Sequence, residues 1–352
     1  MIYSPLWNKY SSDECLYTLN TTRVCGKDSI ETARKITRIG YTHSRPGSII
    51  LINKNEIFDG IAAASLIHHP RNAPILPIEP YFLDQETLFE IQRLNPTGYQ
   101  GIQLLLVGNI SNSVLMYLNS LGFSTSSIKG RNHYETACQV FSEVLSEDKD
   151  IKNVLIVSGE DYRYGVAASY WSAHMGDPIL FVAKNNIPSC TLNALIKLKS
   201  VNIYILGSSD IISTSVEQTL SSLPNLNSID RISGNSFYDV AVNFAKYKSP
   251  SGDFGWNKTS RDGHAFTFAS INNPAAIVPG SFFAHMGKHT PLLLIEKNAI
   301  PNVVSEYIEQ IKPLPKTKPH PPFMHGWIIG CVDDISYPAQ VGLEALLSID
   351  HH

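Results

Sequence analysis

Apolar and polar positions along this chain alternate between two textures. Short runs that are apolar throughout, Ile49–Ile52, Leu104–Val107, Val154–Val157 and Ile203–Leu206, stop abruptly at a polar turn or a glycine. Between them lie longer stretches in which apolar and polar positions mix at helical spacing. Strands without a polar face are buried on both sides, the mark of a parallel sheet covered by helices. In the middle of the chain the pattern predicts helices over His133–Ser146, Tyr164–Met175, Pro188–Lys199 and Ser213–Leu223. It predicts strands over Val154–Ser158, Ile179–Val182, Val201–Leu206 and Asn227–Ser233. Right-handed crossovers then place helices on both faces, so the expected fold is α/β with doubly wound parallel sheets of the flavodoxin-like or Toprim-like kind.

The pattern occurs three times. Gly26-Lys-Asp-Ser-Ile-Glu31-Thr32-Ala33 returns as Gly130-Arg-Asn-His-Tyr-Glu135-Thr136-Ala137 and again as Gly234-Asn-Ser-Phe-Tyr-Asp239-Val240-Ala241, with a step of 104 residues each time. Solenoid repeats run about 20 to 50 residues, whereas a unit of roughly 100 can enclose its own core. Ala173-His174-Met175-Gly176 recurs as Ala284-His285-Met286-Gly287, and serines at 111, 213 and 336 stand where each copy needs a helix cap. Domains are therefore expected at 23–126, 127–230 and 231–350 behind an extension over 1–22. The third has inserted loops at 248–263 and 313–325, whose Pro, Gly, Ser and Lys content predicts surface loops.

Composition narrows the function. With 352 residues, 43% hydrophobic and 17% charged, and a net charge of −3, nothing pulls the chain toward nucleic acid. No apolar stretch approaches the roughly 18 to 20 residues of a membrane span, and the first residues do not read as a signal peptide. Cys15, Cys25, Cys138, Cys190 and Cys331 are an odd set without a C-x-x-C pair, so buried free thiols are expected rather than a disulfide framework or a zinc site.

Candidate chemistry is sparse. His285 and His289 stand four apart as helix-borne metal ligands would, but Gly287 between them predicts that the helix has already ended, so no metal is assigned. Asp333-Asp334 and Glu160-Asp161 follow predicted strands without recurring in the other copies and read as solvated turn acids. Nucleotide, hydrolase and zinc-protease signatures are absent from the sequence, so neither an enzyme nor a cofactor is expected. The acid of the Glu-Thr-Ala triplet suits a helix start through the dipole alone. Arg34, Lys35 and Arg38, with Arg23 and Lys27, form the densest basic run, which reads as a solvated face or as a seat for an anion.

The ordered set Arg-x-x-Gly, aromatic-acid-Thr-Ala, an Asp-initiated Ala-rich helix, a Pro-Ile-Leu strand and a glycine turn before a Ser-capped helix resembles the cell-wall-binding repeat type 2 family. It is carried here by Arg231-Ile-Ser-Gly234 with Tyr238-Asp239-Val-Ala241, Tyr134-Glu-Thr-Ala137, Arg23-Val-Cys-Gly26, Asp59-Gly-Ile-Ala-Ala and the strands after Pro74, Pro178 and Pro291. The resemblance spans about Arg23 to Ile349. It implies three domains packed about a pseudo-three-fold axis that bind an anionic polymer of the Gram-positive wall at the clefts between them, without catalysis. The sequence departs from the pattern at Ser127, where the opening Arg is missing, and at Tyr164 and Ala275, which replace the acid of Asp59.

The leading expectation is a surface or cell-wall binding module for a teichoic-acid-like polymer. Its candidate contacts are Arg23, Lys27, Arg131, Arg231, Asp59, Asn109 and Ser208, with backbone amides at helix starts. An alternative is a self-assembling structural protein made in the cytoplasm and deposited in a spore layer or crystalline inclusion, with copies of itself as partners. A third is a nucleotide-binding protein or enzyme with a pocket at strand ends near Gly108, Gly207 or Gly330.

Overall fold

A computed structural model describes residues 18–147, 150–314 and 324–349. Cys15, the extension before residue 18 and most of the second inserted loop lie outside the described residues. Among the described residues, three four-stranded sheets, all parallel, organise the fold. The first unit contains α1 (Ser29–Gly40), β2 (Ile49–Asn53), α2 (Ile57–Ala63), β3 (Ile75–Ile78), α3 (Gln85–Leu94), β4 (Leu104–Val107), α4 (Asn112–Ser120) and β5 (Thr125–Ile128), in sheet order β3-β2-β4-β5. The second contains α5 (His133–Glu147), β6 (Asn153–Ser158), α6 (Tyr162–Met175), β7 (Ile179–Val182), α7 (Ser189–Ile196), β8 (Val201–Leu206), α8 (Thr214–Ser221) and β9 (Leu226–Ile232), ordered β7-β6-β8-β9. The third runs through α9 (Phe237–Lys246), β10 (Ala265–Ala269), α10 (Pro274–Gly280), β11 (Leu292–Leu294), α11 (Asn302–Ile311), β12 (His325–Ile329) and α12 (Tyr337–Leu347).

The fourth strand of the third sheet comes from the other end of the chain. β1 (Thr21–Val24) pairs in parallel with β12, Arg23 opposite Ile328, so the sheet reads β1-β12-β10-β11. Thr21 and Thr22 thus belong to a sheet rather than to an extension, and the boundaries expected at 23, 127 and 231 cut through β1, β5 and β9. Each of these strands completes one sheet, while the helix after it, α1, α5 or α9, packs beside β3, β7 or β11 of the next. The repeated glycine is the step between neighbours. A Cβ at Gly26, Gly130 or Gly234 would lie 2.5, 2.4 or 2.5 Å from the following helix, so the turn accepts only glycine.

Around the axis, α2, α6 and α10 pack against one another, and α1 closes onto α10. One apolar core therefore runs through all three units, with a second cluster on the third sheet around Phe266, Phe268, Leu293 and Tyr307. The units do not enclose separate cores, contrary to the expectation from repeat length. Ser111, Ser213 and Ser336 cap α4, α8 and α12 as their positions predict. Gly176 ends α6 in the left-handed conformation, and Asn72 adopts it in the first unit. In the third, the helical path continues as a π turn through Lys288, and the left-handed residue is His289. The helix therefore outlasts Gly287.

Two further expectations fail. Cys25 and Cys331, at the ends of adjacent strands β1 and β12, form a disulfide across 306 residues, leaving Cys138 and Cys190 as free thiols. The loop over 248–263 is no mere surface excursion either. Its Phe254 and Trp256 are buried, Phe254 stacking on Tyr204 of the second unit and Trp256 contacting Trp171 at 5.2 Å between ring centroids.

Candidate binding seams between the domains

The repeated Glu-Thr-Ala segment sits at each seam because the chain changes sheets there. Asp28, Asn132 and Ser236 accept hydrogen bonds from the amides of Glu31, Glu135 and Asp239. Glu31 and Glu135 reach back to the amides of Lys27 and Arg131, both at 3.0 Å. These reciprocal contacts are a variant of the capping box in which the acid takes the amide just before the cap residue. Thr32 and Thr136 take up the Gly26 and Gly130 amides, a contact that Val240 gives up in the third copy. The triplet is therefore explained by helix capping, and these helix-start amides already have partners inside the chain.

Arg23 and Arg231 do equivalent work in two sheets. Arg23 donates to the Gly330 carbonyl at 2.9 Å and to Gln340 at 2.8 Å; Arg231 donates to the Gly207 carbonyl at 2.8 Å and to Glu217. Each guanidinium thus holds the glycine turn of the adjacent strand, and Arg23 is buried. Ser127 occupies the corresponding place in the first sheet. Arg34 and Arg38 likewise pair with Asp84 and Glu90 near α3, so the basic run is neither one solvated face nor one anion seat.

At two of the three strand ends where a nucleotide pocket would lie, an acidic side chain of the chain itself closes on the glycine turn. At Gly108, with φ of +87°, a Cβ would lie 2.1 Å from the Asp59 carboxylate; at Gly330 it would lie 2.7 Å from Asp334. Asp59 is buried in the first turn of α2, with Oδ1 unpartnered. Burial first, then the charge of Glu56, pushes its pKa up to about 6 against the hydrogen bond from Thr136.

The seam between the first two units carries the most polar and aromatic chemistry. Lys129 donates to Asn109 Oδ1 at 2.7 Å, and Arg131, almost fully exposed, pairs with Glu135. Phe58 stacks on His133 at 4.6 Å, with Tyr134, Tyr162 and Phe181 around them. His133 Nε2 meets the Gly159 carbonyl at 2.9 Å; burial lowers its pKa, partly opposed by that carbonyl. At the second seam Arg163 pairs with Asp161 and lies over the Phe237 ring at 5.0 Å, while Ser208 is half-buried in its turn. At the third, Lys27 is exposed. Lys27 and Lys129 have no ion pair among the described residues.

The seven sequence candidates are therefore distributed over three seams rather than brought together. Only Asp59, Asn109 and Arg131 border the first seam. Sequence reasoning missed Lys129, Phe58 and His133 as site residues there, although Lys129 and His133 flank Arg131 and Phe58 directly precedes Asp59. Among the described residues no group of three or more His, Cys, Asp or Glu side chains could hold a metal ion, His285 and His289 included.

Residues 127–217 match the family described as cell wall binding domain 2. This segment resembles a cell wall binding domain 2. The match begins in β5 and covers the step onto the second unit, the segment that forms the first seam. The N-acetylmuramoyl-L-alanine amidase LytC of Bacillus subtilis (strain 168) is 29% identical over 228 residues, 64% of this chain and 42% of the amidase. The uncharacterized protein PH0614 of Pyrococcus horikoshii is 26% identical over 175 residues, 49% of this chain and 51% of its own length. Among solved structures, Cwp6 from Clostridium difficile superposes with a TM-score of 0.78 at 19% identity, covering 94% of this chain and 48% of Cwp6. Cwp8 from Clostridium difficile gives 0.75 at 20% identity, covering 95% and 52%. These two share the fold. The chain spans about half the length of the relatives it matches, and the family-matched segment falls mainly in the second of the three similar units.

Proposed function

We propose that this chain is a non-enzymatic module that binds an anionic cell-wall glycopolymer at the seam between its first and second units. The observation that supports the reading is the combination, within the family-matched segment, of the unpaired cation Lys129 with the partly exposed rings of His133 and Tyr134. An ammonium group can attract a phosphate or carboxylate, and ring faces can pack against the C–H faces of sugars. Asn109 and Arg131 flank this platform, with Asp59 beneath it; Lys27 and Ser208 offer weaker contacts at the other seams. The disulfide between Cys25 and Cys331 suits an oxidising compartment and so favours a surface location over a reducing cytoplasm.

The test is co-sedimentation with purified Gram-positive walls, before and after removal of their anionic polymers, at low and high salt. Pelleting that salt weakens, that stripping abolishes and that Lys129→Ala reduces supports the reading. Protein that stays in the supernatant under all conditions rejects it. A second reading, association with copies of itself, is favoured by the exposed side chains of Tyr81, Phe82, Phe89 and Met116 in the first unit. Sedimentation velocity across a concentration series in the absence of walls decides that case.

A further inference from the structure

The helices that pack around the axis carry histidines at their C-terminal ends, and all three units contribute. His68 and His69 follow α2, His174 lies in the last turn of α6, and His285 and His289 sit on and after the π turn. His174 Nδ1 and His289 Nδ1 are 3.3 Å apart, and the His68 and His285 ring centroids 5.4 Å. His285 Nε2 meets Asn72 Oδ1 at 2.9 Å across the closure from the third unit to the first. His174 stacks on Trp256 of the inserted loop at 5.3 Å.

We propose that this histidine cluster is an acid-sensitive latch: it joins the three units while the imidazoles are neutral and loosens their junction when they are protonated.

The surroundings favour neutrality. Burial first, then His289, His68, His285 and Lys258, pushes the pKa of His174 down to about 4. Burial first, then His68 and His69, does the same for His285, also to about 4. The leading charged influences on both rings are thus other histidines and a lysine. Asp177 accepts from Trp171 Nε1, and Glu143 and Glu147 hold Arg71. The helix C-terminal dipoles favour protonation but do not outweigh burial in this balance.

Because the folded values lie below the ordinary 6.5, the unfolded or opened chain binds more protons between about pH 6.5 and 4. The latch is at full strength above that window and is lost as pH falls through it. Allowing for partial exposure, each imidazole should raise the unfolding equilibrium constant by about tenfold between pH 7.5 and pH 5.

The experiment compares urea unfolding of the full chain and of His174→Asn/His285→Asn at pH 7.5 and pH 5, with tryptophan emission and circular dichroism as readouts. A pH-dependent loss smaller by about a hundredfold in the double variant supports the latch. Equal pH dependence in the two proteins overturns it. If the double variant does not fold, His289→Asn serves instead: it removes a repelling neighbour of His174, brings the folded pKa closer to the opened value and should make the loss of stability between pH 7.5 and pH 5 smaller. An unchanged loss overturns the proposal. Stabilisation of the wild-type chain by Zn2+ at pH 7.5, reversed by a chelator and absent in the variant, would reassign the cluster to metal binding and also overturn it.

Discussion

Tyr170 Oη donates a 2.9 Å hydrogen bond to the carbonyl of Ile277, so that a fully buried phenol on α6 pins α10 across the axis. The repeat places small residues, Ser65 and Ser281, where the second copy has this tyrosine, and both are buried. One large ring with two small partners fills the centre that three identical side chains would overfill or leave empty. Burial also raises the tyrosine pKa well above its ordinary value, keeping the donor protonated. Tyr170→Phe should cost about 1–2 kcal/mol by leaving a buried carbonyl without its partner, measured by chemical denaturation. Gly280→Ala would place a Cβ 2.6 Å from Tyr170 Oη. Its cost should therefore be smaller in the Tyr170→Phe background, and a double-mutant cycle with zero coupling would contradict the pin.

The sequence revealed the elements of this architecture better than their partnership. Predicted strands Ile179–Val182 and Val201–Leu206 coincide with β7 and β8, and α5 differs from its prediction only by one residue at its end. Apolar runs and glycine stops are local signals, and they survive folding. What escaped was non-local. Nothing near Thr21–Val24 says that its sheet partner lies some 300 residues away at Gly326–Ile329. Counting cysteines could not pair Cys25 with Cys331 for the same reason. At the candidate site, the recurrence of Glu135 and Arg231 was legible but their tasks were not. A cap and a carbonyl clamp repeat as faithfully as a ligand contact would.

The disulfide should matter most for β1. Joining residues 306 apart restricts the unfolded chain and holds an edge strand onto β12. Replacement of both cysteines, Cys25→Ser with Cys331→Ser, should destabilise the protein by about 2–4 kcal/mol. Hydrogen exchange should accelerate first at the β1 amides and least in the central strands β6 and β8. Uniform exchange across all three sheets would show that β1 is not the weak element.

Composition marked the 248–263 insertion as a surface loop, yet Phe254 and Trp256 close the aromatic group around Trp171, Tyr204 and Phe244. Phe254→Ala should cost about 3–5 kcal/mol, as for a large core side chain. Substitution of exposed Lys248 or Thr259 by Ala should lie within about 0.5 kcal/mol of the parent. Thermal unfolding of the three single variants separates these classes, and a neutral Phe254→Ala would return the segment to the status of an ordinary loop.

Asp59 links stability to the candidate seam, with a sign opposite to that of the histidines. Its folded pKa, about 6, lies above the ordinary 3.8, so the folded chain binds the extra proton between these values. Its contribution to stability therefore rises as pH falls through 6 and is complete below about 4. At pH 7.5 the buried carboxylate opposes folding by about 3 kcal/mol relative to its protonated form. Asp59→Asn removes the titration, so the stability of the parent relative to the variant should improve by about 2 kcal/mol between pH 7.5 and pH 4.5. Paired denaturation curves at the two pH values measure this difference, and parallel pH profiles would show that the carboxyl titrates normally. The unpartnered Oδ1 gives the same variant a second use. If wall binding falls while stability at pH 7.5 is held or improved, the buried carboxylate is kept for the ligand. If binding is unchanged, its contribution is confined to packing against Gly108 and Thr136.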